Sequence, residues 1–244
     1  MNAGLKWGLG AVAVLGIAVG GEVLYLHHRN AQDEAAPAKQ AATVKEDPDN
    51  LVFLKHEHPM SLKDEKDLKS KTLWVSAGGQ LDYYPYNGHT VEYGKSAGVL
   101  LGAEKIEVKD AVEQKAPKSA AFRIPQGDKQ VLLVFTKPGD TKEYAVPVGD
   151  VEGGSYSLLT DEIFFYDDPH QLFAFWGPQI WNAIDAHQAI PGMSEREVQM
   201  ALGQVSDPHG DTMGDRMVIY SNGGHPKRVT FVNDKATKIE DTTE

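Results

Sequence analysis

The sequence predicts an α+β protein in three parts: an N-terminal transmembrane helix, a small β-rich region of SH3-like barrel or sandwich type, and a C-terminal module of two helices and a three-stranded antiparallel sheet. Three observations predict it. A nearly unbroken apolar run occupies Trp7 to Leu26. Short β-rich segments, separated by turn residues, follow from about Lys71 to Tyr166. From Asp168 the apolar spacing becomes that of helices, and short strand-like segments end the chain.

The totals set the bounds. The chain has 244 residues, 41% hydrophobic and 24% charged, enough apolar material for a sizeable core. Its formal net charge is -11 and no basic aromatic stripe is present, which disfavours a nucleic-acid partner because phosphate binding needs clustered Lys and Arg. There is no cysteine, so disulfides, thiol nucleophiles, cysteine zinc sites and a lipidated cysteine are excluded.

Residues 1–29 read as the transmembrane anchor. The run WGLGAVAVLGIAVGGEVLYL is roughly 20 residues long, the length a helix needs to cross a bilayer, with Glu22 as its only charge. It reads as a retained signal anchor or as a cleaved signal peptide, with Lys6 as the basic region and Ala18-Val19-Gly20 as the cleavage site. Its continuation through Val23-Leu24-Tyr25-Leu26 favours the anchor. Lys6 on one side and Arg29, Lys39 and Lys45 on the other nearly balance. The short N-terminal tail and signal-like order place the chain in the inner (cytoplasmic) membrane as a single-pass protein with a periplasmic or otherwise extracytoplasmic C-terminal region. Gly16 and Gly20 form a Gly-x-x-x-Gly pair suited to helix-mediated self-association. Residues 30–50, rich in Ala, Pro and charge, bury too little to order themselves and predict a flexible linker.

Residues 51–166 predict the β-rich domain. The strand candidates are Thr72–Ser76, Leu81–Tyr86, Val91–Tyr93, Lys105–Lys109, Gln130–Phe135 and Tyr144–Val148. Gly78-Gly79, Asn87-Gly88, Gln126-Gly127-Asp128 and Pro138-Gly139-Asp140 supply the turns. Gln130–Phe135 is the most apolar and is expected at the centre, with Ile163–Tyr166 closing the sheet.

Residues 167–240 predict the α+β module. Asp168 caps a helix that Pro169 can begin, since proline there gives up only a donor without a partner. Gly177-Pro178 restarts the chain into Gln179–Gln188. Ser194-Glu195-Arg196-Glu197 fits a capping box, and Gly203 is the stop of that helix. Strands follow at Met217–Tyr220, Arg228–Val232 and Ala236–Ile239, joined by Asn222-Gly223-Gly224 and Asn233-Asp234.

Ile190 to Gly203 (IPGMSEREVQMALG), Met217–Tyr220 (MVIY) and Arg228–Asn233 (RVTFVN) together resemble the SmpA/OmlA family. The resemblance implies a BamE-like module of two helices on a three-stranded antiparallel sheet, and a role in binding other envelope proteins. It covers roughly the last quarter of the chain and describes a fold, not a reaction. The family's lipidated cysteine is absent, and a long β-rich region precedes the motif.

Chemistry-bearing residues are sparse. His56 and His58 would point the same way from an extended chain and could both ligate a metal, but no further ligand is spaced nearby, so no metal or cofactor is assigned. Asp161-Glu162, Asp167-Asp168 and Asp207 could pair for acid–base work, yet caps and turns account for such residues more simply. No hydrolase elbow, phosphate-cradling loop or His-Glu-x-x-His motif is present. The reading is therefore a non-enzymatic, membrane-anchored protein-binding scaffold or assembly module, with partners among other envelope proteins and the membrane. An accessory subunit of a membrane complex and a His-dependent metal-binding protein or enzyme are the alternatives. The candidate protein-binding residues are His209, Asp211 and His225 in the C-terminal loops, Tyr84 and Tyr86 in an aromatic strand, and Trp176 beside the Gly177-Pro178 break.

Overall fold

Turn-forming residues divide the chain after Ser70 into short strands: β1 (Thr72–Val75), β2 (Asp82–Pro85), β3 (Gly98–Val99), β4 (Lys105–Gln114), β5 (Lys129–Thr136), β6 (Tyr144–Glu152), β7 (Ser155–Leu158) and β8 (Phe164–Phe165). The structure, a computed structural model, describes residues 48–76 and 78–243. Contacts group Val52–Glu244 into one unit and Met1–Leu51 into another, of which the described part is a 3-10 turn at Pro48–Leu51. The eight strands form one antiparallel sheet in the order β3-β2-β6-β5-β4-β1-β8, with β7 also on β6. Helix α1 (Leu62–Lys66) precedes the sheet, and α2 (Thr160–Ile163) joins β7 to β8. β6 pairs with β2 through Tyr144 and Ala145 and with β7 through Gly149–Glu152. The sheet curls into a half-barrel and stays open.

β5 explains its own composition. Val131, Leu133 and Phe135 enter one hydrophobic cluster with Leu73, Ile106, Val146 and Phe164, whereas Leu132 and Val134 enter another with Tyr84, Val91 and Ala145. Both faces are covered, so the strand is apolar without alternation. Burying each such side chain contributes about 1.5–3 kcal/mol. Gln130, also fully buried, donates to the carbonyls of Ala120 and Ile124 and accepts from the Tyr93 hydroxyl.

The chain then changes texture. Asp168 caps α3 (Pro169–Leu172) by accepting from the His170 N–H. α4 (Pro178–Asp185) buries Trp181, Ala183 and Ile184. α5 (Glu195–Leu202) begins with a complete capping box: Ser194 Oγ accepts from Glu197 N at 3.2 Å, and the Glu197 carboxylate accepts from Ser194 N at 2.6 Å. β9 (Ser206–His209), β10 (Met217–Tyr220), β11 (Lys227–Val232) and β12 (Lys235–Asp241) form a second antiparallel sheet, ordered β12-β11-β10-β9.

Glycine and aromatic residues join the two sheets. A Cβ on Gly102 would lie 2.1 Å from the Met200 carbonyl oxygen of α5, so only glycine permits that approach. Gly203, at φ +95°, packs on Gly78 and Gly79. Beside this contact Phe165 of β8 meets Phe173 edge-on, Phe173 stacks on Trp176 at 4.5 Å, and Trp176 stacks on Trp181 at 5.2 Å. These residues share one hydrophobic cluster with Val218, Tyr220, Val229 and Phe231 of the second sheet.

Three expectations are corrected. The α+β fold class gives way to a mostly β protein with few short helices, and the barrel or sandwich gives way to an open half-barrel, because β8 lies at an edge beside β1 and closes nothing. The second sheet has four strands: Ser206–His209, polar and containing Pro208, pairs as an edge strand, where proline's missing N–H breaks no ladder. The single-pass inner-membrane placement is not supported, since among the described residues no helix is long and apolar enough to cross a membrane. The Trp7–Leu26 run on which it rested, the Gly16–Gly20 pair and residues 30–47 of the linker lie outside the described residues.

Candidate functional site

A strap without regular secondary structure, Val52 to Met60, leads into α1. Val52 packs on the second sheet's cluster. Ser61 ends the strap as the cap of α1, accepting from Asp64 N at 3.3 Å, while Asp64 accepts from Met60 N at 3.0 Å. Between these ends a side chain of α2 holds the backbone. Asp161, in the first turn of α2, accepts from Glu57 N at 3.2 Å and from His58 N at 3.0 Å. The Tyr166 hydroxyl donates to the same carboxylate at 2.7 Å. Burial would raise the Asp161 carboxyl, but these donors, with His56 nearby, outweigh it and hold the carboxyl below its ordinary range. Glu57 adds ion pairs to Lys55 at 2.7 Å and to Lys71 at 3.2 Å.

The clasp also gathers two imidazoles. His58 Nδ1 lies 3.4 Å and His56 Nδ1 3.9 Å from Asp161 Oδ2. The three ligand atoms all lie within 4.8 Å of one another. His58 reaches this position with φ of +50°, so the strap bends there and does not run extended. The third group that local spacing does not offer is thus Asp161, more than a hundred residues along the chain. No periodicity connects it to the histidines, and its place in a short Thr-Asp-Glu helix start looks like a cap.

Beneath the clasp Glu65 of α1 is fully buried. The Thr160 hydroxyl donates to its Oε1, while Oε2 has no hydrogen-bond partner among the described residues. Two of the strap's apolar side chains point outward: Phe53 is 93% exposed and Met60 80%. The cavity between strap and sheet, lined by Leu54, His56, Asp161 and Tyr166 among others, holds only about 20 Å³.

The residues singled out from sequence are dispersed. His209 is exposed at the end of β9 that pairs with Met217, and Asp211 is exposed in the loop that follows. His225 is exposed near Lys227, which pairs with Tyr220 at the other end of β10. Tyr84 is buried against Tyr93, and Tyr86 is half-buried beside it. Trp176 is half-buried between Phe173 and Trp181, in the seam joining the two sheets.

No protein-family model, no curated protein and no solved structure matches the chain, so none of these comparisons bears on the SmpA/OmlA resemblance.

Proposed function

We propose that this is a non-enzymatic protein-binding module that engages its partner through the strap. The observation that carries the reading is the outward presentation of Phe53 and Met60 on a backbone fastened at Val52, Asp161 and Ser61. Exposed aromatic and Met side chains supply interface energy, and a backbone already held in place loses little conformational entropy on binding. The resemblance of residues 190–233 to the SmpA/OmlA family points to the same class of activity. In-cell crosslinking with a photoreactive amino acid in place of Phe53 or Met60, and of exposed Thr237 as control, tests it. Adducts with a protein partner at Phe53 and Met60 are expected. Adducts at Thr237 with none at the strap would overturn the reading.

A further inference from the structure

We propose that His56, His58 and Asp161 hold one divalent transition-metal ion of the Zn²⁺, Ni²⁺ or Cu²⁺ class. This goes beyond the partner-binding reading and does not depend on it. Two imidazole nitrogens with one carboxylate oxygen suit these ions, whereas Ca²⁺ and Mg²⁺ take oxygen donors.

The spacing fits the ion. Ligands at tetrahedral zinc distances lie about 3.4 Å from one another. The imidazole-to-carboxylate separations of 3.4 and 3.9 Å are already close to that value. The remaining edge, between the two imidazoles, needs at most a small ring rotation from its present span within 4.8 Å, and both histidines are exposed and free to turn.

The carboxylate is prepared for such a task. Tyr166 and the Glu57 N–H hold Oδ1, while Oδ2 accepts the His58 N–H and is turned towards both Nδ1 atoms. Hydrogen bonds that fix a carboxylate in this way are the usual outer support of a metal ligand. The ion would join the strap to α2 across the clasp, and a water would complete its coordination on the exposed side. Held by two residues of the strap and one of α2, the ion would fasten the strap.

The competing explanation is that Asp161 only caps the strap backbone. The two explanations separate in His56→Ala and His58→Ala, which remove ligands from exposed positions but leave every backbone bond to Asp161 in place. The full chain, stripped with chelator, is titrated calorimetrically with Zn²⁺, Ni²⁺ and Mg²⁺, with circular dichroism on each variant. The other histidines make the stoichiometric difference the readout. Wild type is expected to bind one more equivalent of Zn²⁺ and of Ni²⁺ than the double variant, each single variant is expected to bind that equivalent at least tenfold more weakly, and Mg²⁺ is expected to give no heat. Trypsin cleavage after Lys55 is expected to slow with Zn²⁺ in wild type alone. Equal stoichiometry in wild type and the folded double variant, or no micromolar Zn²⁺ binding by wild type, would overturn the proposal. Should the double variant misfold, the single variants decide it: Zn²⁺ affinity unchanged in both would overturn the proposal.

Discussion

The Thr160 hydroxyl donates to the carboxylate of Glu65, joining α2 to α1 beneath the strap. Glu65 is fully buried, the charges acting on it are those of Asp161 and Asp64, and among the described residues its second oxygen has no hydrogen-bond partner. Burial pushes its carboxyl up from 4.5 to about 7, against the Thr160 hydrogen bond and with help from the charges of Asp161 and Asp64. The Thr160–Glu65 bond therefore ties together the two elements whose neighbours carry the clasp: His56 and His58 precede α1, and Asp161 follows Thr160.

A pH dependence follows. Below 4.5 the group is protonated folded and unfolded, and there is no penalty. Between 4.5 and 7 the unfolded chain releases the proton while the folded chain keeps it, so stability falls as pH rises. Above that window the loss is complete, at up to about 3 kcal/mol. Glu65→Gln keeps an acceptor for Thr160 and cannot ionise. Urea unfolding at pH 5 and pH 8 should show a larger decline for wild type than for the variant, and the variant should be the more stable at pH 8. Parallel declines would show that Glu65 does not titrate in this window.

The seam makes a steric prediction. In Gly102→Ala the new Cβ would lie 2.1 Å from the Met200 carbonyl oxygen, which belongs to helix backbone and cannot turn aside. Overpacking of this kind costs about 1–3 kcal/mol. The melting temperature should fall by several degrees, and an unchanged value would mean that Gly102 and α5 do not approach this closely.

The helix start at Ser194 was legible from residues 194 to 197 alone, because a capping box is a local device written in neighbouring side chains. The central place of Gln130–Phe135 was legible for a similar reason, since six successive buried positions leave no solvent face. β9 was not legible: Ser206-Asp207-Pro208-His209 carries no strand pattern, and it pairs because β10 presents a free edge. The clasp was invisible for the same physical reason on a larger scale. Asp161 meets His56 and His58 only after an entire sheet has formed between them, and single-chain spacing cannot report a contact made by tertiary folding. The exposure of Phe53 and Met60 likewise depends on which strap residues the core accepts. Val52 is taken in and its neighbour is not.

The capping box sets a smaller effect. Ser194→Ala removes the acceptor for Glu197 N and leaves the Glu197 carboxylate in place on Ser194 N. The expected loss is about 1 kcal/mol, read by calorimetry. A change within error would mean that the reciprocal bond alone holds this helix end.

Asp161→Ala tests whether the strap is held as the clasp implies. The variant deprives Glu57 N, His58 N and the Tyr166 hydroxyl of one acceptor. Both amides lie at the exposed surface and can turn to water, so global stability should drop by only about 1 kcal/mol. Local opening should change far more. Hydrogen exchange at the Glu57 and His58 amides should accelerate by an order of magnitude or so, with faster trypsin cleavage after Lys55, while β5 amides keep their protection. Acid should act in the same direction. Because the Asp161 carboxyl is lower folded than its ordinary 3.8, the stability it contributes is fully present above that value and is lost as pH falls through the folded value. In wild type the strap amides should therefore stay protected at pH 5 and open only in stronger acid. If the strap presents Phe53 and Met60 to a partner, Asp161→Ala should also weaken crosslinking at both positions without unfolding the sheets. Exchange rates at residues 57 and 58 equal to wild type would show that the strap is held by Val52 and Ser61 alone, and that Asp161 has no part in presenting it.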